Sequence, residues 1–216
     1  MRQLALDITS VPVPTFANFI VGRNLEVITH VRAAVAGSGE RFVYLWGEAG
    51  SGRTHLLKAA AADAVYAQCE AHSVFEDSVS LLAADDVERL GAAAQVALFN
   101  RYNALRESGG CLIASGSVPP VQLELRGDLV TRLGWGLVLQ VHALSDEEKA
   151  LALAQHALAR GFTLSNDVIV YLLGHAPRDM GALFATLDAL DRHSLETKRG
   201  VTVRLAREYL SEKNNQ

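Results

Sequence analysis

The sequence predicts an α/β domain built on a parallel sheet, followed by a small all-helical unit. Three observations carry this reading. The run Phe42-Val43-Tyr44-Leu45-Trp46, rich in β-formers, stops at Gly47 and passes through a glycine-rich stretch into a helical pattern beginning at Thr54. A second apolar run, from Val79 to Ala83, leads into the acidic pair Asp85-Asp86. Beyond Leu144 the strand-like runs give way to helix starts, so the strand–helix body is expected to end near residue 143.

The elements follow in order. Residues 1–15, with Leu4, Leu6 and Ile8 alternating before Pro12 and Pro14, read as an extended segment. From Asn24 to Ala36 the residues Leu25, Ile28, Val31 and Val35 recur at helical spacing, and Gly37-Ser38-Gly39 ends the helix. After the helix that follows the glycine loop, Val65 to Cys69 is a candidate second strand. A helix from Ala92 to Ser108 carries Val96, Phe99, Tyr102 and Leu105, and Gly109-Gly110 breaks it. Cys111 to Ala114 is a further strand, Leu125 to Thr131 a short helix, and Leu137 to Val141 the last strand. Ser145 with Glu148 three residues on has capping-box spacing. Helices are expected from there to Arg160, from Ser165 to Leu173 and through Met180, Leu183, Leu187 and Leu190; a β-like run at Val201–Val203 precedes a last helix.

Composition narrows the function classes. Half of the 216 residues are apolar, which supplies a core and excludes long disorder away from the ends. A net charge of -4 argues against a chain that wraps nucleic acid by charge alone. Cys69 and Cys111 form no CxxC pair and the histidines are scattered, so local spacing assembles no metal cluster. The start resembles no signal peptide and no window is apolar enough to cross a membrane, so a cytoplasmic protein is expected.

Two motifs carry chemistry. Gly47-Glu48-Ala49-Gly50-Ser51-Gly52-Arg53-Thr54 fits GxxxxGK[ST] at every fixed position except the lysine. Its glycines let backbone amides turn onto phosphate oxygens, the next helix adds its N-terminus, and Thr54 is placed to bind Mg²⁺. Gly47, Gly50, Ser51, Gly52, Arg53, Thr54 and His55 are the candidate nucleotide-binding residues. A glycine-rich turn without a ligand is the alternative. Arg53 keeps the charge with a planar fork in place of a compact ammonium, which should preserve binding better than catalysis. Asp85 and Asp86 stand at the carboxyl edge of the expected sheet, Asp85 as the metal-side acid and Asp86 in the place of a water-activating acid. An ordinary acidic loop is the alternative there.

Further blocks carry a family resemblance. The lead-in Pro14-Thr15-Phe16-Ala17-Asn18-Phe19-Ile20-Val21-Gly22-Arg23-Asn24, the stretch Arg132-Leu133-Gly134-Trp135-Gly136, and Leu144-Ser145-Asp146-Glu147-Glu148-Lys149 are three of them. The most specific is Pro177-Arg178-Asp179-Met180 with Leu183-Phe184 and Leu187-Asp188-Ala189-Leu190-Asp191. Together they resemble the Hda family, the DnaA-related regulators of bacterial replication initiation, over nearly the whole chain.

The resemblance implies an AAA+ P-loop NTPase body at 16–143, a helical lid at 144–216, and a clamp-binding segment at 1–15. It makes Arg132 the arginine finger offered in trans to nucleotide on a neighbouring DnaA subunit, and Arg178 the sensor-2 arginine reaching the bound nucleotide. It places Ser115 or Ser117 near the sensor-1 position. Gln3-Leu4-Ala5-Leu6-Asp7-Ile8 resembles the family's sliding-clamp peptide, with Gln3, Leu4 and Leu6 as the contacts and Asp7 where a proline is common. The implied ligands are ADP or ATP with Mg²⁺, and the implied partners are DnaA and the β sliding clamp. No sequence-specific DNA contact and no membrane contact are implied, and a homodimer stays open. The segment Ala67 to Ser78 departs from the family by leaving little room for a normal second strand and crossover helix. The implied function is an adaptor that, with the DNA-loaded clamp, stimulates hydrolysis of DnaA-bound ATP and represses re-initiation, with weak or no ATPase of its own. The alternatives are a self-sufficient AAA+ loader, whose turnover would vanish in Asp85→Asn, and a scaffold with a decayed nucleotide site.

Overall fold

The parallel sheet has five strands in the order β2-β3-β4-β1-β5. These are β1 (Phe42–Trp46), β2 (Val65–Gln68), β3 (Leu81–Asp85), β4 (Cys111–Gly116) and β5 (Leu137–Gln140), and every neighbouring pair is parallel. The structure is a computed structural model, and it describes residues 13–76, 78–177, 179–197 and 199–214. The clamp-peptide residues Gln3, Leu4 and Leu6, and Arg178, lie outside the described residues.

The central strands read as unbroken apolar runs because both sheet faces are covered. On one face Val43, Leu45 and Ile113 pack with α1 (Leu25–Val35) and α2 (Arg53–Ala60). On the other, Tyr44, Leu112 and Ala114 pack with α3 (Ala92–Ser108) and α4 (Gly127–Leu133). The alternation of Val43, Tyr44 and Leu45 between the two cores follows the two-residue period of a strand.

Local detail departs from the sequence reading in several places. The buried face of α1 is Val27, Ile28, Val31 and Ala34, while Leu25 and Val35 are exposed. In α3 the buried set is Ala94, Leu98, Arg101, Tyr102 and Leu105, and Val96 faces out. Apolar residues at helical spacing fix a period, not its phase, and small alanines filled the face that larger residues were expected to take. Strand β3 begins two residues later than expected and runs on to Asp85. Helix α4 extends through Arg132 to Leu133 instead of stopping at Thr131. Residues 201–202 are not a strand, and α8 starts at Val203. The tight passage from β2 to β3 is as the sequence implied: the described residues between Gln68 and Leu81 contain no helix, and Cys69 N–H donates to the Asp85 carbonyl at 2.8 Å.

Two compact units result, one spanning Pro14–Ala143 and one containing residues 144–214. The second holds α5 (Asp146–Ala159), α6 (Asn166–His175), α7 (Met180–Thr197) and α8 (Val203–Asn214). Its core joins Leu153, Val168, Leu172, Leu183, Leu187, Leu190 and Ala206. Ser145 caps α5 in the full reciprocal arrangement, with Glu148 N–H donating to its hydroxyl and Glu148 accepting from Ser145 N–H. Ser165 precedes α6 without a side-chain cap bond. Asp179 accepts from Ala182 N–H at 2.9 Å at the entrance to α7. No helix among the described residues is long and apolar enough to cross a membrane.

Candidate functional site

The loop 47–54 joins the central strand β1 to α2, at the carboxyl edge where α/β sheets hold ligands. Its glycines are structural requirements. A side chain at Gly47 would collide with the Val141 carbonyl, and one at Gly52 would stand 2.8 Å from Phe19 Cε2. Gly50 and Gly52 adopt φ of +78° and +102°, a region unfavourable to other residues, and the space beside Gly50 is open.

Donors converge here without acceptors. The N-cap of α2 has no side-chain cap bond, so its first-turn amides keep their donors. Among the described residues the buried Ser51 hydroxyl has no partner, and Arg53 Nη1 makes no hydrogen bond although it lies 3.4 Å from Asp86 Oδ1. Thr54 is exposed. This constellation fits an anionic phosphate: amides, a hydroxyl and a guanidinium, with a helix N-terminus behind them. The lead-in closes on the loop. Phe19 packs on His55 with ring centroids 5.4 Å apart, and His55 Nε2 is 2.9 Å from the Thr15 carbonyl. Buried Asn24 fixes the lead-in to the segment after β5, donating to the His142 carbonyl at 2.9 Å and accepting from His142 N–H at 2.8 Å.

The acidic strand end has the opposite character. Asp85 is fully buried; its Oδ1 accepts from the Ser115 hydroxyl, and its Oδ2 lies 2.8 Å from the Tyr66 hydroxyl, whose single proton is shared between this carboxylate and Gln68 Oε1 at 2.7 Å. Asp86 Oδ2 accepts from Gln68 Nε2 at 3.0 Å, and its N–H donates to Ser115 Oγ at 3.1 Å. Asp86 has φ +55°, a left-handed conformation in which these contacts hold a non-glycine residue. Burial, and secondarily the charge of Asp85, push the Asp86 carboxyl above its ordinary value, against the pull of Arg53. Burial, with the hydrogen bond to Asp85, likewise raises the Tyr66 phenol, and burial pushes the Cys69 thiol up to about 12.

Of the two serines left open by the sequence, Ser115 is brought to the acidic pair. Ser117 is exposed, and its N–H donates to Glu88 Oε1 at 2.8 Å. Arg132, in the last turn of α4, donates from Nε to Asn103 Oδ1 at 3.0 Å and lies 3.9 Å from the Trp135 ring centroid. Leu133 is buried as expected of an anchor, but Trp135 is 54% exposed and serves as a platform for the guanidinium.

Tyr66, Gln68 and Asn103 were not singled out from the sequence. A signal for the first two existed. They alternate on one face at the end of a strand, and the register sets Gln68 beside Asp85.

Comparison with known proteins agrees with this architecture. Residues 12–77 match the bacterial DnaA ATPase domain, and residues 146–210 match the Hda lid domain. Domain III of the Thermotoga maritima replication initiation protein DnaA is 20% identical with a TM-score of 0.73, over 93% of this chain and 97% of that one. The replication initiator DnaA bound to AMPPCP and single-stranded DNA is 23% identical with a TM-score of 0.71, over 94% of this chain and 70% of that one. AMPPCP-bound DnaA from Aquifex aeolicus is 24% identical with a TM-score of 0.69, over 83% and 65% respectively. At these identities the solved structures speak to the fold, which is the AAA+ parallel-sheet body with a helical lid. A DnaA-type ATPase segment and an Hda-type lid thus occur in one chain, which is homologous to the domains of the Hda/DnaA family.

Proposed function

We propose that this chain binds ADP or ATP through residues 47–55 and acts as an adaptor that offers Arg132 to ATP held by a DnaA subunit. Docking on the DNA-loaded β clamp through Gln3, Leu4 and Leu6 would bring the two together, and the outcome is repression of re-initiation. The lid's contact with nucleotide is assigned to Arg178. The family assignment supports the partners, and the loop supports the nucleotide. A Mg²⁺ ion would be expected to draw on Thr54 and the acidic pair, of which Thr54 is exposed while Asp85 is held by Ser115 and Tyr66.

The observation that carries the trans role is the setting of Arg132. The contacts that hold it come from Asn103 and Phe99 of α3 and from Trp135, none from the loop 47–54. A guanidinium held on an exposed indole, with its Nε spent on Asn103, keeps its outer nitrogens for a partner's phosphate.

The test is a hydrolysis assay with purified DnaA, clamp loaded on DNA and this chain, each omitted in turn. Stimulation should require all three. Arg132→Ala should keep nucleotide and clamp binding yet lose the stimulation, by a factor on the order of 10³–10⁵ if the finger acts as arginine fingers do elsewhere. An Arg132→Ala chain that stimulates as well as the parent would remove the mechanism's active group. Turnover by this chain alone, lost in Asp85→Asn, would favour a self-sufficient loader instead.

A further inference from the structure

Both carboxylates at the end of β3 are already engaged by this chain's own side chains. Asp85 gives one oxygen to Ser115 and the other to Tyr66, and Asp86 gives one to Gln68 and lies against Arg53 with the other. A magnesium site between the loop and this strand would draw on Thr54 and on a free carboxylate oxygen, directly or through water. Only the first is offered. The Thr54 hydroxyl is exposed and makes no hydrogen bond among the described residues, whereas Asp85 is fully buried with both oxygens engaged. The residues present therefore fit the nucleotide's phosphates but withhold from its metal ion the acid expected on the metal side.

The cause lies in the edge strand. The short passage from β2 to β3 keeps the two strands in register to their ends, pairing Gln68 with Asp85. Tyr66 and Gln68, two residues apart on one face, then reach one acid each. The Tyr66 ring is held from the other side by Lys58 of α2, whose Nζ is 5.1 Å from the ring centroid. Its hydroxyl is thus delivered by a packed ring and not by a loose side chain.

We propose that Tyr66 is a positioning residue, a latch that keeps Asp85 off the nucleotide's metal ion, so that this chain binds a nucleoside diphosphate with an affinity nearly independent of Mg²⁺. The proposal rests on the reading of loop 47–54 as a nucleotide site. The loop amides and Arg53 supply the affinity; the acidic pair, occupied by Tyr66, Ser115 and Gln68, adds none through the metal. Because Asp85 is fully buried beneath these partners, the phenol would have to move before that carboxylate could serve a metal ion.

The test is a calorimetric titration of ADP into the full chain, once with excess Mg²⁺ and once with EDTA, for the parent and for Tyr66→Phe. The phenylalanine keeps the ring against Lys58 and removes only the hydroxyl. For the parent, the two dissociation constants should agree within about two-fold, well under the roughly ten-fold that one hydrogen bond to a charged group provides. In Tyr66→Phe the freed carboxylate oxygen should make binding about ten-fold tighter with Mg²⁺ than with EDTA. A parent that already binds ten-fold tighter with Mg²⁺ overturns the latch whatever the variant does, as does a folded Tyr66→Phe with no gain in metal dependence. Absence of ADP binding under both conditions is a different failure: it removes the nucleotide reading itself, and the latch with it.

Discussion

The loop 47–54 and the end of β3 face one edge of one sheet, yet their polar groups are in opposite states. In the loop, donors lack acceptors: the Ser51 hydroxyl, Arg53 Nη1 and the first-turn amides of α2. At the strand end three of the four carboxylate oxygens of Asp85 and Asp86 accept hydrogen bonds from this chain's side chains, and the fourth, Asp86 Oδ1, lies 3.4 Å from Arg53 Nη1. Leaving a buried donor unpaired costs about 1–3 kcal/mol, so a fold that carries such donors together is arranged for an anion from outside. A fold that satisfies its acids internally has arranged them for itself. On the proposed reading, binding and hydrolysis draw on two different regions, the first supplied with free donors and the second with acids already engaged.

The same substitution in both regions gives the largest expected contrast. Ser115→Ala strips a hydroxyl from a fully buried carboxylate and should destabilise the fold by at least about 1–3 kcal/mol. Ser51→Ala removes a hydroxyl that has no partner and should change apo stability by less than about 0.5 kcal/mol. Urea unfolding of both variants measures the difference, and equal losses would erase the contrast. Next in size is Arg53→Ala, which should weaken ADP binding by about ten-fold or more, the worth of one charge-assisted contact. Apo stability should hardly move, because the guanidinium is only loosely paired with Asp86.

The smallest effect is in pH dependence. The Asp86 carboxyl titrates above its ordinary value, chiefly from burial. The folded chain therefore holds that proton longer than the unfolded chain does, and this group's contribution falls as pH rises from the unfolded pKa through the folded one. Above that interval the loss is complete and constant. Asp86→Asn should remove this component, so its apo melting temperature should decline less than the parent's as pH rises from the carboxylate range to neutrality. Parallel melting curves for the two proteins across that range would contradict the assignment.

The sheet was legible because its runs are short, apolar and punctuated by glycine, and the loop because its glycines answer steric demands at Gly47 and Gly52 that spacing alone exposes. The phase of α1 and α3 was not legible, since alanines such as Ala34 and Ala94 carry little hydrophobic signal yet fill tight helix–sheet contacts. The partners of the acidic pair were hidden for another reason. Tyr66 and Asp85 are 19 residues apart, and only the parallel register of β2 and β3 makes them neighbours. The apolar character of Trp135 suggests a buried side chain, whereas its ring lies outside, under Arg132.

The most direct test of the central claim, that the unpartnered donors of loop 47–54 exist for a nucleotide's phosphates, is the thermal shift of the full chain on adding ADP, read beside Arg53→Ala. A ligand of the folded state alone stabilises by mass action, so the parent's melting temperature should climb steadily as ADP exceeds its dissociation constant. The Arg53→Ala curve should show the same climb displaced to about ten-fold higher ADP. A parent whose melting temperature stays fixed at millimolar-order ADP, far above the micromolar range in which a site of this kind should fill, would contradict the account.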